Sequence, residues 1–152
     1  MFSLYLLLKF IHIAAAITAV GANITYGVWN ARAASEPAHV GFALKGIKFL
    51  DDRIANPAYG MLLLTGALML IVGHWSIASL WIIAALVLFA VLIVVAVRVY
   101  TPLLKSQIRL VDAGDTSSPE FARLERRSRI VGPMIGLVVV LILVMMVFKP
   151  TL

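Results

Sequence analysis

The chain has 152 residues, of which 62% are hydrophobic and 13% charged, with no cysteine and a formal net charge of +6. Soluble domains run at about 45–50% apolar and about 25% charged, so an ordinary soluble domain is excluded, as are disorder, a disulfide scaffold and any thiolate site. At a mean hydropathy of +1.04 the positive charge is read as the Lys and Arg excess of membrane-protein loops, and no nucleic-acid partner is expected.

A spanning helix needs about 20 mostly apolar residues. The first such run covers residues 4–29 and carries Lys9, His12 and Asn23. Met1-Phe2-Ser3 before it holds no basic side chain, and the run is too long for the apolar part of a cleaved signal, so a retained helix is expected. In residues 40–53 that follow, Val40, Leu44, Ile47, Leu50 and then Ile54 recur at three- and four-residue spacing, with Lys45, Lys48 and Asp52 between them. That pattern predicts a short amphipathic helix on the inner membrane surface. The second span covers 54–73, with Pro57 in its first turn, where a missing N–H costs little. His74-Trp75-Ser76 makes a short turn, and the third span covers 76–97. Leu103, Leu104, Ile108 and Val111 predict a helix that resumes after Pro102 within a second helical stretch, 102–129. The segment from Asp112 to Pro119 reads as a turn. Ser118-Pro119-Glu120 is a helix start, and Glu125 and Arg129 can pair one turn apart. The fourth span covers 130–148 and ends at Lys149. The expected fold is an all-α membrane protein, residues 1–152 forming one four-transmembrane-helix bundle.

Charge sets the expected orientation. Arg32, Lys45, Lys48 and Arg53 lie between spans one and two. Arg98, Lys105, Arg109, Arg123, Arg126, Arg127 and Arg129 lie between spans three and four. The turn at His74 has none. Basic loops stay in the cytoplasm, which puts the N-terminus and the C-terminus outside. The bilayer is the expected surrounding, that of a bacterial plasma (inner) membrane.

Polar groups inside a span mark functional candidates. At 100° per residue, Lys9, His12, Ala16, Asn23 and Gly27 fall within about 60° of one another, with Ala19 and Tyr26 flanking them. Such a stripe of polar and small residues should face the bundle interior. His12 can ligate a metal or haem iron, relay protons, or simply bond a neighbouring helix. His39 and His74 lie in loops, so three convergent ligands for zinc or copper are not evident, whereas haem needs only one or two. His74, Trp75, Trp29, Tyr26 and Trp81 read as an interfacial aromatic belt. Asn56 and Thr65 read as interhelix hydrogen bonds, and Gly132-x-x-x-Gly136 as a close-packing spacing. No phosphate loop, H-E-x-x-H or G-x-S-x-G is present, and no carboxylate pair sits within a span.

Several short stretches resemble a bacterial group. Leu4-Tyr5-Leu6-Leu7-Leu8-Lys9-Phe10-Ile11-His12-Ile13 resembles the K-x-x-H opening of HemJ-type protoporphyrinogen oxidases. Asp52-Arg53-Ile54-Ala55-Asn56-Pro57-Ala58 resembles the start of that family's second span, and Val147-Phe148-Lys149-Pro150 its ending. The chain as a whole resembles the predicted integral membrane proteins called domain of unknown function 2269, which are similar to the HemJ and CopD families. The resemblance implies haem b, with His12 as axial iron ligand and Lys9 and Arg53 as propionate or substrate partners. Asn23, on the same stripe as His12, completes the candidate cofactor-binding set. Two departures count against porphyrinogen oxidation: the third span has no ionisable group, and Arg129-Ile130-Val131-Gly132-Pro133 stands where that pattern has an Asn-Glu pair before its proline. The expected function is a non-enzymatic bundle, working as a homo-oligomer or as a subunit of a larger membrane complex. A haem-binding redox protein is the alternative, and an oligomeric transporter of small solutes or metal ions the second alternative.

Overall fold

The computed structural model describes residues 3–150, so Met1 and Phe2 of the signal reading lie outside it. Four helices are long and apolar enough to cross a membrane: Leu4–Ser35, Pro37–Val72, Leu80–Asp112 and Pro119–Phe148. No strand occurs among the described residues. The first helix is α1 (Leu4–Ser35), and a 3-10 turn at Pro37–His39 leads out of it. The second is α2 (Val40–Leu50) and α3 (Asn56–Val72), joined through a wide π turn at Asp51–Ala55. The third is α4 (Leu80–Val95) and α5 (Thr101–Asp112), joined through a π turn at Ala96–Tyr100. The fourth is α6 (Pro119–Phe148).

Both π turns have a cause in the sequence. Pro57 and Pro102 lack the N–H that would bond the carbonyls of Arg53 and Arg98, and their rings crowd those carbonyls. The residue before each proline reaches one position further back than in an α-helix. The Asn56 N–H bonds the Asp51 carbonyl, and the Thr101 N–H bonds the Ala96 carbonyl. The wide turn also keeps one face buried across two successive steps of four, Ile47–Asp51–Ala55, which would drift off the core in a regular helix. Pro133 also follows an arginine by four positions, yet α6 runs through it without such a turn.

The expected surface-lying helix is instead a continuation of the second span. Its apolar face finds protein partners, with Ala43, Leu44 and Ile47 buried at 3%, 2% and 0% exposure. At this end α2 packs on both α1 and α5, and α5 packs on α6. Leu103, Leu104, Leu110 and Phe121 complete the core of this basic headpiece. The headpiece stands about 20 Å long by helix rise over residues 40–53.

The apolar half is arranged differently. There α3 packs on α1, α1 on α6 and α6 on α4. Alanines at 15, 19 and 22 are buried on α1 and let its neighbours approach. No Cα of α3 comes within 8 Å of one of α4 among the described residues. The two helices diverge from the π turns and leave a cleft of about 200 Å³ between them.

The helix ends follow the expected signals. Ser118 caps α6 by accepting from the Phe121 N–H at 3.2 Å, with Pro119 in the first turn. Gly114, at φ +73°, closes α5 as the Asp115 N–H returns to the Leu110 carbonyl. Glu125 and Arg129 pair at 2.7 Å.

Two substitutions test the headpiece core. Ile47→Ala should lower unfolding stability by about 3 kcal/mol, read by thermal denaturation in mild detergent. Gln107 is 2% exposed and its Oε1 has no hydrogen-bond partner among the described residues. Gln107→Met should therefore hold or raise stability by about 1 kcal/mol, since it removes an orphaned acceptor at similar volume. A clear loss would mean that the amide is satisfied in the protein in solution.

Candidate functional site

The polar groups of α1 sort into levels along the bundle. Nearest the middle of the apolar half is His12. Thr65 Oγ1 lies 2.6 Å from the Met61 carbonyl, where its only proton is spent. Thr65 Oγ1 therefore accepts from His12 Nδ1–H, at 2.8 Å. The imidazole is left with its lone pair on Nε2, the atom that ligates metals or haem iron. Gly66 makes the space: a Cβ there would lie 3.3 Å from His12 Cε1. The bond joins α1 to α3.

Asn23 sits eleven positions further along α1, about 16 Å away. Its Nδ2 donates to the Ala19 carbonyl at 2.8 Å and to the Tyr59 hydroxyl at 2.6 Å, a second polar tie between α1 and α3. The Tyr59 ring meets Phe89 of α4 edge-on at 6.2 Å, across the cleft.

Deeper toward the headpiece is a cluster that sequence reasoning missed. Asp51 is 8% exposed, and the Tyr26 hydroxyl donates to its Oδ1 at 3.5 Å. Tyr100 stacks on Tyr26 at 6.4 Å and 15°. Each π turn therefore carries one member, Asp51 in the first and Tyr100 in the second. The signal lay in the four-residue steps into Asp51 and Tyr100, and it is recognisable once a proline is known to widen the preceding turn.

Lys9 and Arg53 stand apart from His12. Lys9 is exposed on α1 and Arg53 is exposed beside Asp51. Arg53 is twelve positions from Thr65, about 18 Å along the helix. The buried face of α1 runs through Leu8, Ala15, Ala19, Ala22, Tyr26 and Ala33. His12 and Asn23 border that face, while Lys9 and Gly27 lie outside it. The candidate residues thus fall at separate levels and do not make one pocket. No group of three His, Cys, Asp or Glu side chains converges among the described residues.

Over residues 6–150 the chain matches the family described as predicted integral membrane protein, DUF2269. It belongs to that family. Neither curated proteins nor solved structures give a match. Four apolar helices and membership of an integral membrane family agree, so this DUF2269 protein is a multi-pass membrane protein in contact with the lipid bilayer.

At the end of the bundle opposite the headpiece, this DUF2269 chain gathers one residue from each helix or its flank. Trp75, in the turn after α3, meets Trp81 of α4 edge-on at 5.6 Å and 85°. The Trp75 Nε1–H donates to the Tyr5 hydroxyl of α1 at 3.2 Å. The Lys149 ammonium, just past α6, lies 4.7 Å from the Trp75 ring centroid and 5.2 Å from that of Trp81. Gly73 is required there, because a Cβ would stand 2.6 Å from Trp75 Cδ1.

The proton assignment at His12 is testable. Nitrogen NMR of His12 should show the Nδ1–H tautomer at neutral pH. Thr65→Val should mix the tautomers and lower stability by about 1 kcal/mol. An unchanged ring signal in Thr65→Val would remove the threonine as the orienting group.

Proposed function

We propose that this protein is a non-enzymatic membrane bundle that acts through association, as a homo-oligomer or as a subunit of a larger membrane complex. The observation that carries this reading is how the chain uses its polar and its small residues. His12 and Asn23 are each bonded across to α3, which is what groups holding a bundle together do. Four glycines of α1 and α6 go the other way. A Cβ on Gly21, Gly27, Gly132 or Gly136 would meet nothing within 4 Å, so these glycines serve no close contact inside the chain. Glycines without internal neighbours suit the approach of another helix. In this reading the headpiece lies in the cytoplasm of a bacterial cell, both termini lie outside, and the membrane is the plasma membrane, following the distribution of Lys and Arg.

Light scattering in mild detergent should give a mass above one chain. Gly21→Leu combined with Gly136→Leu should shift the protein toward a single chain. A wild-type protein that is a single chain at every concentration, and that co-purifies with nothing, would sink the proposal.

A second reading has one observation in its favour. His12 Nε2 has no hydrogen-bond partner among the described residues and the ring is oriented by Thr65, an arrangement suited to an axial ligand of haem b. Of the residues named with it, only Lys9 lies near the same level, so Arg53 and Asn23 would hold no part of a haem on His12. Haem would supply one-electron chemistry there, and the protein would supply the ligand and its orientation. Protein purified with haem added should show Soret absorption that His12→Ala abolishes. The absence of that band in the wild type would dismiss the reading.

A further inference from the structure

The Trp75–Trp81 pair does more than line a membrane interface. Two indoles at 85° present their faces toward one point, and an ammonium occupies it. The box is held in shape before any ligand arrives. The Tyr5 hydroxyl accepts from the Trp75 N–H, and Gly73 lets the ring seat on the end of α3.

We propose that Trp75, Trp81 and Tyr5 form a binding site for a quaternary ammonium group, in which Lys149 is the built-in competitor.

Three features support this. The ring faces attract a cation through their quadrupole, and a methylated ammonium sheds water more easily than the compact, strongly hydrated ammonium of lysine. Lys149 is a replaceable occupant, being exposed and held at φ 45°, a left-handed conformation that a lysine rarely adopts. Acidic side chains are missing from the neighbourhood, for all seven lie between Glu36 and Glu125, on the headpiece side. Recognition there rests on the rings rather than on a carboxylate, which favours a soft cation over a sodium ion. The ligand is either a free choline-like solute or the choline headgroup of a lipid, since the box lies at the end of the apolar helices.

Tryptophan emission reads the site, with Trp29 at the other end as a constant background. The full chain in a maltoside detergent is titrated with choline chloride against sodium chloride at equal ionic strength. Choline should change the emission of the wild type, and Lys149→Ala should lower the half-effect concentration about three- to tenfold. Lys149→Arg should stay near the wild type. Trp81→Leu in the Lys149→Ala background should abolish the response while leaving the helical circular dichroism intact. The source is separated by reconstitution of Lys149→Ala. A choline response in phosphatidylglycerol bilayers that vanishes in phosphatidylcholine bilayers assigns the lipid headgroup, and a response in both assigns the free solute. If folded Lys149→Ala responds to choline no more than to sodium, or with the same midpoint as the wild type, the proposal is overturned.

Discussion

Two absent N–H groups, at Pro57 and Pro102, set the form of this bundle. A helix entering an apolar phase must satisfy its own backbone, because lipid offers no partner. Each proline leaves a carbonyl four positions back without its donor, at Arg53 and at Arg98. Arg53 and Arg98 are both exposed and stand at the edge of the apolar runs, where their carbonyls are open to another donor. The cost is thereby placed where it is smallest. The same positions hold the Arg side chains, and α6 repeats the spacing with Arg129 and Pro133. The wide turn itself occurs in two of the helices, since α6 has the spacing but runs through Pro133 as a regular helix.

The wide turns have a second consequence. Above them, α2 and α5 are packed together; below them, α3 and α4 have separated. Asp51 and Tyr100 sit at the branch point, so the most buried acidic group lies where paired α2 and α5 give way to the separated α3 and α4 of an open row. Along the row, α1 is the shared member, touching both α3 and α6. Its tie to α3 is polar, through His12–Thr65 and Asn23–Tyr59, whereas its buried alanines provide close apolar approach. Hydrogen bonds between helices in such a setting are each worth on the order of 1 kcal/mol. They fix register between α1 and α3 more than they supply stability.

How much of this was legible in the sequence depends on the range of each interaction. The four apolar runs, the Ser118 cap and the Glu125–Arg129 pair are local, and periodicity or spacing states them directly. The interhelix role of Thr65 was legible because a lone hydroxyl in an apolar helix needs a partner. What the sequence left open is everything that needs two helices at once. The polar stripe of α1 pointed to an interior face centred near Ala16 and Asn23, with Lys9 and Gly27 along one edge. The real face is turned toward Ala15 and Ala22, because buried area and close approach decide orientation, not polarity alone. The segment 40–53 carries the pattern of a surface helix, and nothing local says that its apolar side will meet α5 in place of lipid. Asp51 looked like a loop carboxylate for the same reason.

The open row raises the question of what keeps α3 and α4 from parting further. They meet through aromatic edges: Tyr59 on Phe89 near the branch point, and Trp75 on Trp81 at the far end. Such contacts contribute about 0.5–1.5 kcal/mol each beyond their buried area, and an ammonium over a ring adds a comparable amount. These are small against the continuous packing of α3 on α1 and of α4 on α6. The cleft between the two helices is therefore the least packed part of the bundle, and the α1–α3 and α4–α6 pairs form its two sides. A cation that fastens both indoles adds to the hold that the turn after α3 already has on the two helices at this end. Lys149 stands at that point as the single basic side chain beyond the last apolar run. The charge of Lys149 thus meets the two indoles that bridge α3 and α4.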